Sequence, residues 1–186
     1  MFTILYGICL LISVAVFIDM AQKNYNNIDI YQWTIVVLIP VILMAYWLQS
    51  QVYGGEAAAF LNCFVYLDST ILISVVLFSL LHTLGISVSS WIKIVIYGLA
   101  GVQMAVVCLC VHTKLYYKSV SVADTGMGKS VVVTSGPLKV LHYLYLFGLM
   151  IWIFAIVLIS LRRKGAYSKR NLLIYLSLPV IALAIY

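Results

Sequence analysis

The chain has 186 residues, 65% of them hydrophobic and only 9% charged, with a mean hydropathy of +1.14. A soluble domain carries about 25% charged residues, and one soluble core of this size cannot hide so much apolar surface, so lipid is the solvent for most of the chain. The net charge of +6 is concentrated in one loop and reads as a membrane-orientation signal, not as a nucleic-acid footprint; no nucleic-acid partner is expected.

A helix needs roughly 20 apolar residues to cross a bilayer, and helices are the default because backbone polar groups cannot go unpaired in lipid. The first apolar run, 2–20, has no basic residue before it and no small-x-small cleavage site, so it reads as a retained span and not a removed signal peptide. The second, 30–48, contains Pro40, which should kink it. The third is 57–81, the fourth 91–111 and the fifth 138–161. A sixth begins at Leu172 and meets the end of the sequence at Tyr186, about 15 residues later and short of the roughly 20 a span needs. The expectation is an all-α polytopic bundle over 1–186, an amino-terminal piece of a longer protein with six spans present, the last one truncated and a seventh missing.

Between spans four and five lies "ADTGMGKS", Ala123 to Ser130, which fits a permissive phosphate-loop template. Such a loop needs a following helix whose amino terminus faces the phosphates. Here β-branched runs flank a glycine-rich turn on both sides, so the stretch reads as a β-hairpin over 118–134 and not as a nucleotide site. Arg162, Arg163, Lys164, Lys169 and Arg170 crowd the connection between spans five and six, and the positive-inside rule places them in the cytoplasm. Counting back, the hairpin and the amino terminus lie outside.

Asp68 is the carboxylate well inside a span, and no partner stands three or four residues away on its own helix. It reads either as a hydrogen-bonded structural aspartate or as a ligand or proton contact within the bundle. His112 and His142 fall at outer span ends and form, with Tyr116, Tyr117, Tyr143 and Tyr145, a His/Tyr-rich rim. Interfacial anchoring and ligand contact are both open readings of that rim. Glu56 opens the third span, where it favours the helix dipole and could also wall an outer pocket. The candidate ligand-binding residues are therefore Glu56, Asp68, His112, Tyr116 and His142. No catalytic motif, metal-ligand spacing or cofactor fingerprint is visible: Cys9, Cys63, Cys108 and Cys110 sit in apolar runs, and two histidines near a rim make a weak metal or haem signal. Neither a cofactor nor a metal is expected, and the segment itself does not read as an enzyme.

The order of these features resembles the amino-terminal seven-transmembrane sensor region of bacterial histidine kinases and diguanylate cyclases. The resemblance rests on "HTKLYYKSVSV", on Gly136-Pro137 opening span five, on Tyr143 or Tyr145 in its first turns, on the short basic inner loop and on Pro179 in span six. Upstream it rests on "EAAAFLNCFVYLDSTILISVVLF", with Glu56-Ala57 and Tyr66. The resemblance implies a multi-pass protein of the bacterial plasma membrane. It also implies a sensory input module that answers an unknown small ligand, outside or in the bilayer, and controls a histidine kinase or diguanylate cyclase domain beyond residue 186. Dimerisation through that output domain goes with it. The competing expectation is a small transporter or channel subunit, which favours broken spans and inverted repeats.

The orientation is tested by single cysteines in a background lacking native ones. Lys129→Cys on intact cells should react with an impermeant thiol reagent and Arg163→Cys should not; equal labelling would refute the orientation.

Overall fold

The computed structural model describes residues 2–24, 29–124, 129–162, 172, 173, 175 and 177. In chain order these form α1 (Phe2–Asn24), α2 (Ile30–Gln49), α3 (Gly55–Thr83), α4 (Ser90–Thr113), β1 (Tyr117–Asp124), β2 (Lys129–Ser135) and α5 (Lys139–Arg162). All five helices are long and apolar enough to cross a membrane, which makes this a multi-pass membrane protein. Their bounds lie within a few residues of the runs read from the sequence. Of the segment where the sequence suggests a sixth span only Leu172, Leu173, Tyr175 and Ser177 are described; they are helical, and Leu172 is buried against the bundle core, while the rest of that expectation lies outside the described residues.

α3 is the central helix. Most of it is buried inside the bundle, as a helix enclosed by others is. Ala58, Leu77 and Leu80 are fully buried, and so is Ser74. Between lipid-solvated helices no hydrophobic force acts, so close packing and internal hydrogen bonds hold the bundle. Small side chains serve that need: Ala45 of α2 and Ala58 and Ala59 of α3 are all buried. α2 continues through Pro40 as one helix. Ile153 and Val157 of α5 are fully buried in the main core, while Leu144, Ile151 and Leu158 on the other face are exposed, as lipid-facing residues are.

Contacts fix the helix directions. Tyr6 of α1 stacks on Tyr46 near the end of α2, and Tyr31 at the start of α2 meets Phe78 and His82 late in α3. The Cys63 thiol reaches the Val107 carbonyl, and Phe78 meets Tyr97, so α3 and α4 are antiparallel. Thr70 meets His142 and Ser74 meets Tyr145; these contacts advance together, so α3 and α5 run parallel. α3 ends at Gly85, whose φ of 65° closes the helix with Gly85 N–H donating to His82 O and Ile86 N–H to Leu81 O.

β1 and β2 pair antiparallel from Ser119↔Thr134 to Asp124↔Lys129. Lys129 and Ser130 open a strand, so the helix a phosphate loop requires after them is not there. The register shifts between Tyr117 and Ser119. Along the regular part, Val120 and Val122 face inward and Ser119 and Ser121 outward. Strict alternation would send Tyr117 outward; the irregularity turns it in.

The hairpin is seated by close backbone approach. Gly136 N–H donates to Tyr116 O at 2.7 Å and Leu138 N–H to Leu115 O at 3.0 Å. A Cβ on Gly136 would strike the Leu115 carbonyl and lie 2.7 Å from the Tyr116 carbonyl carbon, neither of which can yield. Gly136→Ala should therefore destabilise the protein by about 3 kcal/mol, the upper part of the overpacking range. Gly98→Ala in α4 meets nothing within 4 Å and should be neutral or stabilising by up to about 1 kcal/mol. Melting of the purified variants in detergent checks the contrast.

Candidate functional site

The sequence places a tyrosine, a threonine and a serine at four-residue spacing on α3: Tyr66, Thr70 and Ser74. That spacing puts them on one helical face, one turn apart. The face looks at α5, α4 and the root of the hairpin. Where they meet, the structure builds a closed cluster of aromatic and polar side chains.

His142, in the first turn of α5, lies at its centre and is fully buried. Its Nδ1 is 3.1 Å from Gln103 Oε1 on α4 and 3.4 Å from Thr70 Oγ1 on α3. Thr70 Oγ1 donates its own hydrogen to Tyr66 O at 2.7 Å. Both groups facing Nδ1 are thus acceptors, which assigns the ring hydrogen to Nδ1. The imidazole is clamped between three helices by one proton with two acceptors.

Tyrosine rings enclose it. Tyr66 packs edge-on at 5.1 Å and Tyr116 at 5.8 Å from the imidazole. Tyr66, Tyr116 and Tyr117 also pack on each other, and all three are buried. Except between Tyr66 and Tyr117, whose planes are tilted by 34°, the rings are near-perpendicular, which sets the positive edge of one ring on the negative face of the next. Lys139 caps the cluster, its ammonium 5.9 Å from the Tyr66 ring centre and 5.5 Å from that of Tyr143. Below Tyr117, the Cys63 thiol donates to Val107 O at 3.6 Å, so Tyr117 Oη, 3.0 Å away, donates to the sulfur. The hairpin is thereby tied to α3, and through it to α4.

Hydroxyl contacts continue along α3 away from the hairpin. Ser74 Oγ lies 2.7 Å from Tyr145 Oη, which is itself 3.3 Å from Ile96 O on α4. A turn and more further on, Tyr175 Oη lies 2.9 Å from Ser79 Oγ and 3.0 Å from Thr83 Oγ1. Thr83 sends its hydrogen to Ser79 O, so Tyr175 donates to Thr83 and Ser79 donates to Tyr175. Every element that touches α3 from this side is bonded to it through a hydroxyl or a thiol.

The five candidate residues are not all brought together. Tyr116 and His142 are neighbours, but they are buried and not part of an exposed rim. His142 is only a few residues into its own helix, yet α3 begins far earlier: Thr70 lies about 22 Å along α3 from Gly55. That overhang, with the hairpin root, roofs the histidine. Glu56 is exposed in the first turn of α3, and no hydrogen bond or ion pair joins it to the cluster among the described residues. Asp68 lies on α3 and His112 in the last turn of α4, and the side chains of both fall outside the described residues. Thr70, Gln103, Cys63 and Lys139 complete the cluster and were not candidates from the sequence. The spacing of Tyr66, Thr70 and Ser74 on one face is a signal for Thr70; nothing in the sequence singles out the other three. Among the described residues no group of three or more His, Cys, Asp or Glu could hold a metal ion.

No family profile, curated protein or solved structure matches the chain.

The arrangement ranks two substitutions. Gln103→Leu removes the nearer acceptor from a buried N–H and should destabilise by about 1–3 kcal/mol, whereas Thr70→Val leaves Gln103 in place and should cost about 1 kcal/mol or less. Melting in detergent decides; a Thr70→Val loss equal to or larger than that of Gln103→Leu would contradict the assignment.

Proposed function

We propose that the chain is a membrane-embedded sensory input module, in which the hairpin side receives a signal and α3 carries it to the opposite end of the bundle. One observation carries the reading. Tyr116 and Tyr117, at the root and start of β1, enter the bundle and pack with Tyr66 and His142, so an element outside the spans is continuous with a hydrogen-bonded centre inside them. A change in how the hairpin sits must alter the packing of that centre. From there Thr70, Ser74, Ser79 and Thr83 link α3 to α5 and to Tyr175 on the far side.

The basic connection after α5 supports a cytoplasmic position for the far end and an outer one for the hairpin. Resemblance to the sensor region of bacterial histidine kinases and diguanylate cyclases supports a cytoplasmic output domain beyond the chain. A signal felt across the membrane must favour one of two helix arrangements over the other. Removing a buried hydrogen bond worth about 1–3 kcal/mol that is made in one arrangement and not in the other shifts the equilibrium by roughly 5- to 150-fold.

The test is basal output of the full-length protein, measured with a cytoplasmic reporter at matched membrane abundance. Tyr117→Phe, which loses the bond to Cys63, and Gln103→Leu, which takes the nearer acceptor from His142, should each move basal output by fivefold or more. Wild-type output from both variants would sink the reading.

A further inference from the structure

At the end of the bundle away from the hairpin, α2, α3, the α3–α4 connection and α4 line a half-open cavity of about 140 Å³. Tyr31, Phe78, His82, Ser87, Val88 and Lys93 line it. One wall is apolar. Phe78 is buried with its ring 6.1 Å from that of Tyr31, and Val88 packs on the main core. The other wall consists of donors. Lys93 Nζ donates to Tyr31 Oη at 3.2 Å and lies 5.8 Å from the centre of that ring. This uses one of three ammonium hydrogens and leaves the Tyr31 hydroxyl free to donate in turn. Ser87 contributes another hydroxyl. Asp29, beside the cavity, is engaged by His82, with Nδ1 3.2 Å from Oδ2.

We propose that this cavity binds the phosphate of an anionic phospholipid headgroup, with Lys93, Tyr31 and Ser87 donating to its oxygens and the glycerol carbons lying against Phe78 and Val88. The cavity stands at the ends of apolar helices, the depth at which headgroups sit. Its volume is that of about five waters, enough for a phosphate and a few carbons. Charge favours the same occupant. Lys93 and Arg162 lie at this end, and Arg163, Lys164, Lys169 and Arg170 follow Arg162 in the sequence. Basic residues gathered beside span ends draw anionic lipid to the surface. Free inorganic phosphate would use the donor wall but leave the apolar wall in contact with water, which is why a lipid is the better fit.

The experiment uses the purified chain in nanodiscs with photoactivatable phosphatidylglycerol, or phosphatidylcholine carrying the same photolabile group. Cross-linked residues are read by mass spectrometry. Phosphatidylglycerol should label the segment holding Ser87, Val88 and Lys93 at least fivefold more than phosphatidylcholine. Lys93→Gln should remove roughly fivefold of that labelling, the effect of one base near an anionic surface, and Lys93→Arg should keep most of it. Tyr31→Phe, which retains the ring and loses the donor, provides a second variant if Lys93→Gln fails to fold. Equal labelling by the two lipids, or undiminished labelling in the folded variant, overturns the proposal. Competition by excess inorganic phosphate assigns the cavity to a free anion and overturns it as well.

Discussion

A polar side chain buried in a membrane bundle has no water to turn to. The hydrogen bond between His142 and Gln103 shows what this requires. The imidazole is fully enclosed, so its ring hydrogen needs an acceptor from the protein, and α4 has to bring Gln103 to within 3.1 Å. That contact fixes the rotation of α4 about its axis relative to α5. Thr70 fixes α3 in the same way, and its own hydrogen is returned to the backbone of its helix. Because lipid gives helices no hydrophobic reason to associate, a few buried hydrogen bonds of this type define the geometry that apolar packing then fills.

The hairpin belongs to that geometry and is not an appendage to it. A two-stranded hairpin alone is marginally stable in water. Here it gains stability from Tyr116 and Tyr117 in the bundle, from Val120 and Val133 packed against the same cluster, and from the approach of Gly136 to the turn at Leu115. The register shift at the start of β1 makes the seating possible, since it directs Tyr117 to the face that Val120 and Val122 already occupy.

The spans and the hairpin were legible in the sequence because both follow from composition alone. Runs of apolar residues of sufficient length are helices in lipid, and β-branched runs around "DTGMG" are strands wherever they lie. The cluster was legible only in part. Tyr116 and His142 stood out by residue type and by position near the ends of their spans, but position in one helix says nothing about the length of its neighbour, so both were placed on a rim. Gln103 and Cys63 carry no pattern of their own; they matter because of what α5 and β1 place beside them. The equal spacing of Tyr66, Thr70 and Ser74 was readable, yet hydroxyl groups in a span are commonplace, and only the facing helix gives them meaning.

α3 has 29 residues, about 43 Å of helix, against a hydrocarbon core of about 30 Å. Some 13 Å of it is therefore taken up by tilt, by reach beyond the acyl chains or by adaptation of the bilayer, and its Gly55 end lies against the hairpin backbone at Val120. A thicker bilayer draws more of α3 into hydrocarbon and a thinner one releases it, each at a fraction of a kcal/mol per ångström of mismatch. Any change of bilayer thickness that re-tilts this helix has to be accommodated where its Gly55 end lies against the hairpin backbone.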